Sequence, residues 1–199
     1  GIDTKPLLGH LAASYAVLDG GQTPAPDSRA GKIAAQVEAA NAHAGRFYEA
    51  CGDACELLRC YPLAAHYYAR AVERLPQLTA AYGKWGMVLM RLGEEEQARP
   101  ILKRAFEADP FNLRVDNTLK VLELLAGYET LETPHFRVRF DPRHDRLTAR
   151  LVAQRLEQVY SRLCKQFEYE PPDKSLFELF SRSRGTDGHG WFSARMVGL

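Results

Sequence analysis

The residues best equipped for chemistry are four cysteines, six histidines and a short glycine-rich run near the end of the chain. Three of the cysteines, Cys51, Cys55 and Cys60, lie close together and raise the question of a zinc site. Their C-x3-C-x4-C spacing is not a usual one for zinc, and small thiols suit the packed face of a helix. We therefore expect Cys51 and Cys55 to pack and the cluster to hold no metal, with Cys164 standing alone. Gly185 to Gly190 (GTDGHG) could cradle an anion, yet it lacks the Lys-Ser/Thr of a phosphate-binding loop and opens no helix, so a turn is expected. His189, close to Asp187, has the makings of an acid–base pair, but a loop histidine without a partner is ordinarily solvated. Arg182, Arg184 and Arg195 near Trp191 and Phe192 make a basic, aromatic patch with no recognised nucleic-acid module around it.

Bulk properties narrow the classes further. A chain of 199 residues with 46% hydrophobic content can bury a sizeable core or hold two small domains. A net charge of +1 favours neither nucleic acid nor an anionic membrane as partner. No apolar run is long enough to span a bilayer. The chain starts at Gly1 rather than Met, without a basic-then-apolar leader pattern, so a trimmed or partial product is expected. Reduced cysteines in a helical array lean towards a reducing compartment, the cytoplasm.

Residues 45–112 contain one helix pair written twice at a spacing of 34 residues. Aligning Pro76 with Pro110 places Gly52 over Gly86, Ala64 over Ala98, Tyr68 over Leu102 and Ala71 over Ala105. With Gly45 and Thr79 as position 1, these are positions 8, 20, 24, 27 and 32. Glycine at 8 and alanine at 20 let the two helices of a pair cross closely. The bulky residue at 24 and the alanine at 27 are expected to pack the second helix on the following pair, and the proline ends it. This pattern resembles a tetratricopeptide (TPR) repeat. The resemblance implies an α-solenoid of antiparallel helix pairs whose first helices (A) line a peptide-binding face.

In chain order, a helix is expected from Pro6 to Asp19 with Leu7, Leu8, Leu11, Tyr15 and Leu18 on one face, stopped by Gly20-Gly21. After the QTPAPD loop, Asp27 or Ser28 caps a second helix to about Asn41, with Ile33, Val37 and Ala40 on its face. Residues 6–42 thus read as a divergent pair. The clear pairs occupy 45–78 and 79–112, and a closing amphipathic helix spans 113–126 with Leu113, Leu119, Leu122 and Leu125. Pro100 falls inside the last B helix, where a kink or a late start is expected.

The outward positions of the A helices are about 2, 5, 9, 12 and 13. In the first clear pair these are Arg46, Glu49, Asp53, Glu56 and Leu57; in the second, Ala80, Gly83, Met87, Met90 and Arg91. The closing helix offers Arg114, Asn117 and Val121. The groove set of most interest is Arg46, Glu49, Asp53, Glu56, Met87, Met90, Arg91 and Asn117. TPR domains that clamp a C-terminal carboxylate carry Lys at 5 and Asn at 9. Glu49, Asp53, Gly83 and Met87 depart from that pattern. The alternative is that Arg46, Glu49 and Asp53 form an ordinary solvated helix face.

At Gly127 the pattern changes. Phe136, Val138 and Phe140 alternate with His135, Arg137 and Arg139, as in a half-buried strand, and Tyr128 to Leu131 is a second candidate strand. A long helix is expected from Asp145 to about Gln166, with Leu147, Leu151, Leu156, Val159, Leu163 and Phe167 on one face. Lys174 to Phe180 and Trp191 to Val197 follow as strand-like pieces, giving an α+β segment in 127–199 without a sheet of normal size. The run Thr133-Pro134-His135-Phe136-Arg137-Val138, then Asp141-Pro142, Leu156-Glu157-Gln158-Val159-Tyr160, Phe167-Glu168-Tyr169 and Pro171-Pro172, resembles the entry to a peptidase MA-like domain. That family is a gluzincin zinc-peptidase module, which in bacteria is often fused behind TPR repeats. Its metal helix carries H-E-x-x-H, where two histidines bind zinc and the glutamate activates water. No histidine here is followed by Glu, so none of the family's catalytic residues transfers to this chain.

The expectation is a mainly α, TPR-type scaffold that binds a peptide or protein on its A-helix face, followed by an incomplete α+β segment. It includes no cofactor within these residues, no nucleic acid and no membrane. The rival is a zinc metallopeptidase whose H-E-x-x-H half lies beyond residue 199.

Overall fold

The computed structural model describes residues 5–180 and 196–198, so Gly185–Gly190, His189 and the arginine–aromatic patch around Trp191 lie outside the described residues. The chain divides into two compact units, Gly1–Asp116 and Asn117–Leu199, with the boundary inside a helix, ahead of Gly127. The protein is mainly helical, with a small sheet. Among the described residues no helix is long and apolar enough to cross a membrane.

The first unit holds α1 (Lys5–Leu18), α2 (Arg29–Ala40), α3 (Gly45–Leu57), α4 (Tyr61–Arg74), α5 (Thr79–Leu92) and α6 (Glu95–Ala108), and α7 (Leu113–Leu125) begins in it. Local sequence explains the ends. The Ser28 hydroxyl accepts the amide of Gly31 at 3.0 Å and caps α2. Gly93 takes φ +77° in a left-handed turn that closes α5. Pro62 enters α4 in its first turn, where a missing N–H costs nothing. The helix α6 runs unbroken through Pro100 and starts no later than its counterpart, so the late start is not observed.

The helices α3 and α5 begin at residues 45 and 79, and α4 and α6 at 61 and 95, so both recur at 34 residues. Their crossings are equivalent as well. A Cβ on Gly52 would meet the Tyr68 ring at 2.5 Å, and one on Gly86 would meet Leu102 at 2.5 Å. The bulky residue of each second helix therefore packs back on the glycine of its own pair, a contact that the expected packing on the following pair did not include. Ala64, Ala98, Ala71 and Ala105 are buried.

Three helical faces differ from expectation, wholly or in part. In α1 the buried residues are Gly9, Ala12, Ala13 and Ala16, while Leu7, Leu11 and Leu18 are exposed. The reason is close approach: a Cβ on Gly9 would lie 2.8 Å from Ala50 Cβ and from the Phe47 carbonyl, so only small residues fit between α1 and α3. In α2, Ala30 and Val37 are buried and Ala40 is exposed. In α7, Leu122 and Leu125 are buried together with Val115, Thr118 and Val121, whereas Leu113 is exposed.

The second unit contains β1 (Glu129–Glu132), β2 (Phe136–Phe140), α8 (Arg146–Phe167), β3 (Ser175–Leu179) and β4 (Met196–Gly198). They form a four-stranded sheet in the order β1-β2-β3-β4. The strands are short, three to five residues each, so the sheet is small, as expected. β1 and β2 are antiparallel, whereas β2–β3 and β3–β4 are parallel. A parallel β2–β3 pair requires a crossover, and α8 supplies it. Val138, Phe140 and Leu179 meet Ala149 and Ala153, with Val152, Leu156 and Phe177 at the margin. The packing face of α8 is thus Ala149, Val152, Ala153 and Leu156; Leu147, Leu151, Leu163 and Phe167 are exposed. On the other sheet face Glu178 is fully buried, its carboxylate 3.0 Å from the Arg139 guanidinium.

Candidate functional site

The helix α5, the end of α6 with the turn that follows it, the first turn of α7 and Glu56 of α3 line a cleft of about 290 Å³ in the first unit. Its lining combines an apolar group, Ala80, Gly83, Met87 and Val115, with charged residues, Glu56, Lys84, Asp109 and Arg114. A more open polar recess of about 440 Å³ adjoins it through Glu56 and is lined by Asp53, Leu57, Arg59, Tyr61 and Arg91.

An ion network connects the walls. Lys84 on α5 donates to Asp53 Oδ1 and Oδ2 on α3 at 2.7 and 2.8 Å, and lies 2.9 Å from Glu49 Oε1. Burial works against the Lys84 ammonium, but the Asp53 and Glu49 carboxylates outweigh it and hold its pKa above the ordinary lysine value. The Tyr68 hydroxyl, reaching across from α4, donates to Asp53 Oδ1 at 2.7 Å and contacts Glu56 Oε2 at 3.1 Å. Burial, then the hydrogen bond to Asp53, raises the Tyr68 pKa far above the ordinary phenol value, so it stays a donor. Arg91 sits 3.7 Å from Glu56 Oε1 and over the Tyr61 ring, 5.3 Å from its centroid. Burial, then the nearby Arg91 charge, lowers the pKa of Arg114 despite the opposing pull of Glu56.

Of the groove residues expected from sequence, Glu49, Asp53, Glu56 and Arg91 are brought together in this network. Met87 is buried and forms part of the cleft lining. Met90 is a correction: only 2% exposed, it belongs to the core, because its turn of α5 faces inward. Gly83 and Val121 are likewise buried. Arg46 and Leu57 are exposed, as is Asn117, which lies in the second unit. The acidic face of α3 is not merely solvated, since its carboxylates are joined to the next A helix. Sequence reasoning missed Lys84, Tyr68 and Tyr61 as parts of this wall. The available signal was a lysine beside position 5 of one pair facing two carboxylates at 5 and 9 of the other.

Cys51 and Cys55 are buried between helices, and none of the four cysteines is in a disulfide. Burial pushes the Cys55 thiol up to about 12 and the Cys51 thiol higher, so neither is an active nucleophile at neutral pH. Cys60 Sγ lies 3.6 Å from the Gly21 carbonyl, tying the α3–α4 turn to the α1–α2 turn. Among the described residues no three of His, Cys, Asp and Glu gather as a metal site.

In the second unit, His135 is fixed to α8 by two contacts with Glu157, at 2.9 Å from its amide and 2.7 Å from its ring Nδ1. Its ring also stacks on Tyr160 with centroids 3.7 Å apart. An apolar hollow of about 220 Å³ opens beside them, lined by Phe136, Tyr160, Leu163, Cys164 and Phe167. The His135 ring is thus spent on joining β2 to α8. No protein-family model matches the chain, and a search of curated proteins finds no match either.

Proposed function

We propose that the first unit is part of a TPR-type helical array, and that it holds an extended peptide or a segment of a partner protein in the cleft between α3, α5 and the start of α7. The observation that carries this reading is a cleft that runs along α5 and reaches Glu56 of α3, two helices that recur at 34 residues. An apolar lining with charged residues around it suits a peptide, whose side chain enters while its backbone and charged groups meet the charged residues. The Lys84–Asp53–Glu49 bridge keeps the two walls at a fixed separation, which lowers the entropic cost of binding. The paired carboxylates favour ligands other than the terminal-carboxylate class.

The test is selection of a phage-displayed random peptide library on the immobilised protein, followed by fluorescence anisotropy with the enriched peptides. Enriched sequences should bind, and Ala80→Arg, an exposed residue of the lining, should abolish that binding without changing the melting temperature. Failure to enrich any sequence, or binding untouched by Ala80→Arg, overturns the reading.

A further inference from the structure

A glycine inside a helix costs stability relative to alanine, so each one asks for a packing reason. Gly9, Gly52 and Gly86 have one, because a Cβ at these positions would lie 2.5–2.8 Å from a neighbouring helix. Gly83 does not. It lies within α5, and a Cβ there would find Val115 Cγ2 at 3.6 Å and Asn112 Nδ2 at 3.9 Å, ordinary contact distances. Val115 and Asn112 line the cleft, as Gly83 itself does. A side chain at 83 would project between α5 and the first turn of α7, into the space the cleft occupies.

We propose that Gly83 is a specificity-determining residue: it keeps the floor of the cleft open for one apolar side chain of a bound peptide. This rests on the peptide-binding reading given above. The lining fits that occupant. Ala80, Met87 and Val115 present apolar surface, and Met adapts to the shape placed on it. Glu56, Lys84 and Arg114 make the surround polar, Lys84 being already engaged by Asp53 and Glu49. At about 290 Å³ the cleft lies at the lower limit of ligand pockets, roughly 300 Å³. That is room for a single medium-sized side chain and the backbone beside it, and not for a folded element.

The experiment compares wild type, Gly83→Ala and Gly83→Leu in the full chain, using a fluorescein-labelled peptide enriched on wild type. Circular-dichroism melts accompany each anisotropy titration. The expected result is a Gly83→Ala melting temperature equal to or above wild type, with affinity lower by ~10-fold, the scale of one misfitted methylene group in a pocket. Gly83→Leu should bind more weakly still. Replacing the apolar residue of the peptide by Ala should also weaken binding to wild type, and should narrow the difference between wild type and Gly83→Ala. A lowered melting temperature for Gly83→Ala would mean the glycine serves packing, and overturns the inference. So would unchanged affinity in both variants, while leaving peptide binding itself intact. If no peptide is enriched at all, the binding reading fails and this inference falls with it.

Discussion

Lys84 on α5 grips both carboxylate oxygens of Asp53 on α3, at 2.7 and 2.8 Å, and so joins residues that lie 31 apart in sequence. The contact links the two A helices, whereas the direct helix packing runs through their partners, α3 on α4, α4 on α5 and α5 on α6. Removing the lysine leaves Asp53 and Glu49 facing each other without a counter-charge. Because both ends are partly exposed, solvent screening limits the loss, and Lys84→Met should cost about 1 kcal/mol. The pH dependence has a definite sign. The folded-state pKa of Lys84 is raised, so its contribution is complete below the unfolded value of roughly 10.4 and is lost as pH rises through the folded value. Urea titrations at stepped pH should show the gap between wild type and Lys84→Met open at neutral pH and closing as pH rises on the alkaline side. A gap that closes near neutrality would rule the bridge out as its source.

The equivalent crossings make a stability prediction. Ala64 and Ala98 are fully buried, and Leu at either position should overpack by about 1–3 kcal/mol. Gln77 is exposed, and Gln77→Leu should change little. Thermal melts of the three variants decide this, and equal melting points would remove the register that places positions 8, 20 and 24 at the crossing.

How far sequence reached depends on the size of the contact. Gly52 and Gly86 were legible as small residues at a close crossing, because the demand recurs at a fixed interval, but their partners Tyr68 and Leu102 were not, since both were expected on the following pair. The faces of α1 and α8 were misread for the opposite reason. Leucine spacing pointed to Leu7, Leu11, Leu147 and Leu151, but Ala12 and Ala13 are buried where α1 closes on α3, Ala149 and Ala153 are buried where α8 lies on the sheet, and those four leucines are exposed. Long-range polar pairs gave still less warning. The partners in Lys84–Asp53 and Arg139–Glu178 sit on different elements, and no local periodicity marks either one.

The cysteines should be silent in the folded protein. With the Cys55 thiol pushed up to about 12 and Cys51 higher, brief treatment with N-ethylmaleimide at neutral pH should leave both unmodified, while half-buried Cys60 and Cys164 react. Mass spectrometry of native and urea-unfolded samples reads this out. Metal analysis without chelator should find less than about 0.2 equivalents of zinc, since a true thiolate site binds tightly enough to survive purification. Stoichiometric zinc lost on Cys51→Ser would contradict the packing assignment.

His135 and Glu157 give the second unit an acid-side signature. Burial opposes the Glu157 carboxylate, but hydrogen bonds from His135 and Thr133 prevail and lower its pKa. A lowered carboxyl pKa contributes stability above the unfolded value of roughly 4.3 and loses it as pH falls through the folded value. Glu157→Gln should therefore flatten the acid limb of the melting profile below about pH 4.3. The neutral and alkaline limbs should keep their shape.

The largest single effect is expected at Glu178, a fully buried carboxylate next to the last residue of β3, paired in register with Arg139 on β2. A charge taken out of water is tolerable only while its partner remains, and removing one member of a buried pair costs about 3–5 kcal/mol. Arg139→Met takes the guanidinium away from the buried Glu178 carboxylate and should destabilise the sheet, up to about that scale. Replacing both, as Arg139→Met with Glu178→Leu, removes the desolvated charge along with the bridge, and pairs exchanged in this way are often neutral or more stable. A double-mutant cycle by urea unfolding should thus give a double variant more stable than Arg139→Met alone, with strong coupling between the positions. Additive losses would mean that Glu178 is stabilised by its other neighbours and that the Arg139 contact at 3.0 Å is incidental.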